Sequence, residues 1–423
     1  MAHIPLLVAD RQHRLTEVPE FAACGMAGSQ RYVLRTADLV RLPKQSALFY
    51  LPQRSPLGYS LVRHAYEKLT DAVPVAALLP PGYTQLYTAG YEEEDNAPLL
   101  PLYTYVPVVR CKGRLCAAAL RVDRRRVHDV TSVSRARLMR CVQRFRRTKN
   151  RLIRHLAHCS LNSHCPNAIN FFLGRYECPL PVSPSCNARC LGCISSQPTA
   201  GPPASQQRLS FVPTPEEIAE VALSHIARVP RAIVSFGQGC EGEPLLQARR
   251  IQQAIALIRQ HTRSATIHMN TNAGIPQAIE MLCAAGLNSI RVSLNSAQPK
   301  YYRRYFRPHG YDWEDVMASL RLAKQRGLFV SLNYLVMPGF TDDEKECRML
   351  LDLIQRTRID MIQWRNLNCD PQWFFRKMRI PPSDKLLGVR TVMERVRLNF
   401  PRVRQGYFNV PVPRRLLRGY SSV

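Results

Sequence analysis

The sequence predicts an α/β fold, an open partial barrel of six βα units behind a smaller N-terminal α+β domain. Three observations predict it. From about residue 180 to 398, short apolar runs alternate with stretches of helical periodicity, the signature of a parallel sheet with helices outside. Six such units are too few to close an eight-stranded barrel. Glycines and polar residues also gather after every predicted strand, the end at which parallel α/β folds carry their sites. The 423 residues are enough for two domains.

Residues 1–158 read as the N-terminal domain, and no catalytic motif is recognisable in 1–150. Runs at 47–51 and 75–79 are short strands between proline-rich turns. Runs at 103–111 and 115–122 flank Lys112-Gly113-Arg114 and predict a hairpin with glycine in its turn. Over 134–158, Leu138, Val142, Phe145, Leu152 and Leu156 recur near helical spacing, with arginines between them. One or two amphipathic helices, broken near 148–150, follow from that pattern.

The barrel is expected over 171–400. Its first strand lies at about 180–183, and the polar stretch 195–208, with Pro198, Gly201, Pro202 and Pro203, is a loop. Thr214-Pro215-Glu216-Glu217 is a capping box with proline at the first helical position. Strands at 232–236, 266–270, 289–294, 329–337 and 361–367 then alternate with helices. These lie at about 244–261, at 279–285, and around Val316, Leu320 and Ala323. A second capping box, Thr341-Asp342-Asp343-Glu344, opens a helix through Ile354, and a last helix lies near 384–398. Residues 401–423, with Arg414, Arg415 and Arg418, read as an irregular basic tail.

Composition narrows the classes of function. No apolar run reaches the ~18–20 residues of a membrane span, so no membrane partner is expected. The start, from Met1 to Asp10, lacks a basic region and a full apolar core, so no signal peptide is read and a cytoplasmic location is expected. In a reducing compartment, fourteen cysteines point to metal binding or catalysis before disulfides. The formal charge of +28 invites a nucleic-acid partner. The nine lysines against 50 arginines argue for a different origin, the codon bias of a GC-rich genome. The densest run, Arg135, Arg137, Arg140, Arg144, Arg146, Arg147, Arg151 and Arg154, then reads as a solvated helix face.

Everything turns on Cys186, Cys190 and Cys193, spaced C-x3-C-x2-C. Three thiolates so close can converge on one metal centre and leave a position vacant, on a four-coordinate ion or on one iron of a 4Fe-4S cluster. The spacing alone equally suits half a zinc site, completed by Cys178 or His164. The later strands run into Glu241-Gly242-Glu243-Pro244, Thr271-Asn272, Ser293-Leu294-Asn295, Met337-Pro338-Gly339 and Asn366-Leu367-Asn368-Cys369-Asp370. Cys240 and Cys369 sit at strand ends and are weak catalytic candidates; the plainer reading of each is a small buried residue. His155, His158, Cys159, His164, Cys165 and Cys178 match no zinc pattern and read as structural, with a second metal site as the alternative. His268 reads as a core histidine. Arg365 and Asp370 read either as substrate contacts or as a structural pair.

The cysteine spacing, with Gly242-Glu243-Pro244 after the second strand and the βα order, resembles the radical S-adenosylmethionine (radical SAM) enzymes over about residues 179–400. The resemblance implies that Cys186, Cys190 and Cys193 hold a 4Fe-4S cluster whose unique iron is chelated by S-adenosylmethionine. It implies that reduction yields a 5′-deoxyadenosyl radical, which abstracts hydrogen from substrate. Glu243, held by the Gly242 turn and followed by Pro244, would lie near the methionine amino group. Thr271 and Asn272 would lie near the ribose, and Ser293 and Asn295 near the carboxylate or ribose hydroxyls. A reducing partner of flavodoxin or ferredoxin type is implied. Two positions depart from the family. Gly192 stands where an aromatic residue usually contacts adenine, a contact that Ile194 could supply. Glu241 replaces a glycine and is expected to serve substrate or to be solvated. RNA and peptide both stay open as substrates. The reading from another class is a basic RNA-binding protein with structural zinc in the cysteine loop.

Overall fold

The computed structural model describes residues 3–131, 133–197 and 201–413. Pro198, Arg414, Arg415 and Arg418, and the first two residues of the start, lie outside them. Residues 5–121 form a 13-stranded sheet in which every pairing is antiparallel. The predicted hairpin is there: Val106–Cys111 pairs with Arg114–Arg121 across a two-residue turn. Lys112 and Gly113 both take positive φ, at 49° and 71°, as a turn matching the twist of the strands requires.

The second sheet is the barrel wall. Its seven strands, all parallel and in chain order, are Glu177–Pro179, Ile233–Phe236, Thr266–Thr271, Ser289–Leu294, Phe329–Val336, Met361–Asn366 and Arg404–Gly406. It is a half barrel with helices on its outer face. Six strands were expected; the seventh adds Arg404, Gln405 and Gly406 beside Met361, Ile362 and Gln363. Three residues reading Arg-Gln-Gly carry no strand signal, so the stretch looked like the start of the tail. The sixth strand fixes it instead, with Trp364 Nε1 donating to Gln405 Oε1 at 2.8 Å.

The first strand also begins earlier than expected, at Glu177 rather than 180. Residues 180–183 lie outside any strand, and Pro181 has no N–H. The N–H groups of Val182 and Ser183 go to the Glu241 carboxylate at 2.8 and 3.0 Å, not to a neighbouring strand. The capping box at Thr214 forms as read, with Glu217 N donating to Thr214 Oγ1 at 3.2 Å and Thr214 N to Glu217 Oε2 at 2.8 Å. The one at Thr341 does not. Thr341 Oγ1 accepts from Met337 N at 2.9 Å, and Asp343 caps Glu344–Thr357 by accepting from Lys345 N and Glu346 N.

One apolar cluster runs through the barrel and includes Leu138, Leu152, Ile153 and Leu156 of the helices Arg135–Gln143 and Arg151–Leu161. Those helices therefore pack as part of the barrel's jacket, while the antiparallel sheet carries separate cores. Arg135, Arg137, Arg140, Arg144, Arg146 and Arg147 are exposed. Arg151 is paired with Glu217 at 2.8 Å.

The sheet docks on the fifth and sixth barrel strands. Thr84 Oγ1 donates to Trp364 O at 2.7 Å and Gln85 Nε2 to Val336 O at 3.1 Å. The Asn366 amide accepts from Gln85 N at 2.9 Å and donates to Tyr83 O at 3.0 Å, so a side chain stands in for a strand neighbour. Gly28 and Gly339 meet backbone to backbone; a Cβ on Gly339 would lie 1.9 Å from Gly28 N. Asp370 binds Arg54 at 3.0 Å with both side chains buried. Arg365 is not its partner.

Candidate active site

The cysteine loop lies at the carboxyl end of the first strand, stitched to the loop after the second. Gly242 N donates to Ser183 O at 2.7 Å and Glu243 N to Ser185 O at 2.9 Å. A Cβ on Gly242 would sit 1.9 Å from Ser185 O, so only glycine lets the two loops touch. Cys186, Cys190 and Cys193 are half-buried free thiols. Burial pushes Cys186 up to about 11, with the Glu243 charge adding to it. Burial also raises Cys190 strongly, helped by Cys193 and Cys186, so the three sulfurs feel one another as charges.

Glu243 is buried at 4% exposure, and neutral donors surround its oxygens. Oε1 accepts from Thr271 Oγ1 at 2.5 Å and Leu245 N at 3.1 Å; Oε2 accepts from Asn272 N at 2.8 Å. Burial pushes its pKa up to about 7. A buried carboxylate held by neutral groups is under-compensated and favours a cation such as an ammonium. Glu241 is neither solvated nor turned toward a substrate. Besides Val182 and Ser183 it accepts from Gln238 N at 2.7 Å, clamping the chain after strand one to the loop after strand two. Burial raises it to about 7 as well.

Thr271 also accepts from Ala273 N at 2.9 Å, so its hydroxyl is committed to Glu243 and its own turn. Asn272 Nδ2 reaches into the cysteine loop, donating to Asn187 Oδ1 at 2.7 Å. Asn295, at the fourth strand's end, is buried, and its Oδ1 has no hydrogen-bond partner. The loop beside it is held by Glu346, which accepts from Ser296 Oγ at 2.7 Å and Ala297 N at 2.6 Å. Glu346 lies on the helix after the fifth strand, and nothing in the local sequence marked it.

A side chain at position 192 would have to displace the Tyr305 hydroxyl. A Cβ there would lie 2.8 Å from the Tyr305 hydroxyl. Tyr305 comes from Pro299–Phe306, a helix the sequence reading missed, and its hydroxyl is pushed far up by burial and by the nearby thiols of Cys190, Cys369 and Cys193. Cys369 is itself buried, its thiol donating to Asp370 O at 3.3 Å. Neither Cys178 nor His164 completes a zinc site with the loop: Cys178 is fully buried in the first strand and His164 is exposed.

Among the polar residues of the barrel strands, Asn270, Arg291, Ser293, Asn333 and Arg365 are part-exposed. Ser293 Oγ accepts from Asn333 Nδ2 at 3.2 Å. A cavity of about 360 Å³ is lined by Asn270, Arg291, Asn333 and Arg365, by Ile194 next to Cys193, and by Cys159 and Cys240. Arg291 Nε and Asn333 Oδ1 are buried without partners. Burial, then the Arg365 charge, pulls Arg291 down to about 9. His268 is a satisfied core residue between Ser289 Oγ and Asn270 Oδ1, held neutral by burial. Cys240 meets Cys159 and His155; hydrogen bonds from Cys240 and His155 favour the thiolate at Cys159 against burial.

A parallel half barrel with a trithiolate loop and a buried carboxylate at one mouth defines a class of cofactor-binding protein. Residues 180–351 match the radical SAM superfamily model, and this part of the chain is a radical SAM domain. It is 24% identical over 228 residues to a GTP 3′,8-cyclase of Streptomyces coelicolor, across 52% of this chain and 62% of the relative. It is 32% identical over 167 residues to a GTP 3′,8-cyclase of Heliobacterium modesticaldum, across 38% of this chain and 47% of the relative. The chain spans about half the length of the curated relatives it matches. Among solved structures, a radical SAM methyltransferase from Sphaerobacter thermophilus is 14% identical with a TM-score of 0.40, over 56% of this chain and 67% of that one. The family implies a 4Fe-4S cluster, S-adenosylmethionine and a need for a reductant. The residues present fit those groups: three thiols on one loop, Glu243 set for an ammonium, and the unpartnered Asn295 Oδ1. No helix is long and apolar enough to cross a membrane among the described residues.

Proposed function

We propose that this chain is a radical SAM enzyme acting on a small anionic substrate taken into the barrel. The joining of the cysteine loop to Gly242-Glu243 carries the reading, because it sets three thiols beside a carboxylate suited to an ammonium. When bound, the cluster and S-adenosylmethionine supply reductive cleavage of the sulfonium C–S bond and a 5′-deoxyadenosyl radical that takes hydrogen from substrate. Cys186, Cys190 and Cys193 hold the cluster. Glu243 accepts from the methionine amino group, and Thr271 and the Asn272 N–H orient it. Asn272 closes the ribose side, and Ser293 and Asn295 face the carboxylate or ribose hydroxyls. Tyr305 fills the space that Gly192 leaves, and Ile194 offers apolar contact to the adenine. The reductant is a flavodoxin or ferredoxin type of protein.

Arg291 and Arg365 support the anion. The Arg365 charge pulls Arg291 down and Glu177 on the same wall offsets it only in part, so a phosphate or carboxylate beside Arg291 is favoured. GTP, which the relatives' names give as their substrate, is an anion of that kind and is the first probe to try.

Anaerobic reconstitution with iron and sulfide tests the cluster, and 5′-deoxyadenosine release after reduction tests the chemistry. Iron bound equally well by a Cys186→Ala/Cys190→Ala/Cys193→Ala variant would sink the reading. Guanosine binding as tightly as GTP would remove the anion from it.

A further inference from the structure

The geometry points to a second, mononuclear metal site on the barrel wall, in which His155, Cys159 and Cys240 hold a zinc-class divalent ion. His155 and Cys159 stand one turn apart on Arg151–Leu161 and so share a helix face. Cys240 ends the glycine turn that follows the second barrel strand. The fold brings these two segments together across more than 80 positions of sequence, with His155 Nε2 3.4 Å from Cys159 Sγ and 3.5 Å from Cys240 Sγ. All three donor atoms lie within 4.8 Å of one another, and among the described residues no other His, Cys, Asp or Glu trio is so close.

The distances decide what kind of centre fits. Zinc bonds of ~2.3 Å to sulfur and ~2.0 Å to nitrogen put tetrahedral N···S and S···S edges at about 3.5 and 3.8 Å. The two N···S edges, 3.4 and 3.5 Å, already have that size, and the two sulfurs lie within 4.8 Å of each other. The motif cysteines are not so tightly grouped, as suits a cluster in which each thiolate holds its own iron. Charge agrees: two thiolates and a neutral imidazole cancel a divalent ion, so the buried site carries no net charge.

The site is also held. Cys165 N donates to Cys159 O at 3.0 Å and Leu209 N to Cys240 O at 2.7 Å, and the His155 ring lies edge-on to Phe211. Three protein donors leave the fourth tetrahedral position open, the arrangement of catalytic rather than structural zinc. Cys159 and Cys240 line the same cavity as Arg291 and Arg365, so that position borders the space into which an anionic group would fit. The ligand class is thus a divalent ion that can take an oxygen or nitrogen donor from a molecule in the cavity.

Metal analysis of the anaerobically purified full chain tests the site. About one equivalent of zinc is expected in the wild type and in the Cys186→Ala/Cys190→Ala/Cys193→Ala variant. Zinc should be lost in Cys159→Ser/Cys240→Ser, with the motif's iron retained. If the double variant fails to fold, His155→Ala keeps both thiols and should bind zinc at least tenfold more weakly. Cobalt in place of zinc should give sulfur-to-cobalt charge-transfer absorption that falls by about half in Cys240→Ser. A zinc-free wild type, zinc retained without Cys159 and Cys240, or cobalt without that absorption overturns the site. Because iron and zinc are counted separately in the triple variant, failure here leaves the radical SAM reading standing, and the reverse also holds.

Discussion

The two sides of the barrel mouth are built by different means. On the side of strands one and two, loops a few residues long bind one another through backbone N–H groups and two buried carboxylates, Glu241 and Glu243. On the side of strands five and six, a separate antiparallel sheet closes the mouth through side chains: Arg54 on Asp370, and Thr84, Gln85 and Asn366 on backbone. The first side sets three thiols beside two carboxylates whose pKa burial raises to about 7. The second is an interface between two cores. The contrast predicts that damage to one side shows in cofactor binding, and damage to the other in stability.

Asp370→Ala tests the division most strongly. It removes acceptors from Arg54, Leu100 N and Trp373 N, and leaves a fully buried guanidinium with only Glu93 and carbonyls. About 3–5 kcal/mol of stability should go, by denaturant unfolding, while iron content after reconstitution stays at the wild-type level. Iron lost in parallel would mean that the two sides are one unit.

The next effect is pH dependence. Glu241 and Glu243 have folded values near 7, above the ordinary carboxylate value of 4.5, so the fold favours their protonated forms. Their contribution is fully present below about pH 4.5 and is lost as pH rises through about 7, on the order of 3 kcal/mol for each. In the metal-free protein, melting temperature should fall between pH 5 and 8, and Glu241→Gln/Glu243→Gln should flatten that slope. S-adenosylmethionine should flatten it as well, through Glu243 alone.

Gly242→Ala comes next. The added Cβ collides with Ser185 O and must push the cysteine loop from the carboxylate. A displacement near 1 Å costs roughly 100-fold in 5′-deoxyadenosine release, with the sheet side unaffected. Thr271→Val is the mildest. It removes one hydrogen bond to Glu243, worth about 1 kcal/mol, and should weaken S-adenosylmethionine binding about fivefold by equilibrium titration.

The same division governs what the sequence could tell. Cys186, Cys190, Cys193, Gly242 and Glu243 sit in short motifs, and the six main strands announce themselves by apolar runs between capped helices. Those features are local, so they are legible. Arg404–Gly406 has no β composition and exists only because Trp364 and the sixth strand hold it. Tyr305 belongs to a helix rich in tyrosine and arginine whose role appears only once its ring meets Gly192. Glu241 read as a spare carboxylate because nothing local says that residues 182 and 183 lack strand partners. Cys240, His155 and Cys159 are each visible in the sequence, but their meeting is a fact of topology.

The docking of residues 83–85 on Asn366 has a consequence for synthesis. The edge strand is translated 281 positions before the amide that completes it. The last strand of the sheet ends at Arg121, and at ~5–20 residues per second the roughly 245 positions from there to Asn366 take roughly 12–50 s, an interval in which the sheet has an open strand edge. The sheet is therefore synthesised well before the barrel strands on which it docks.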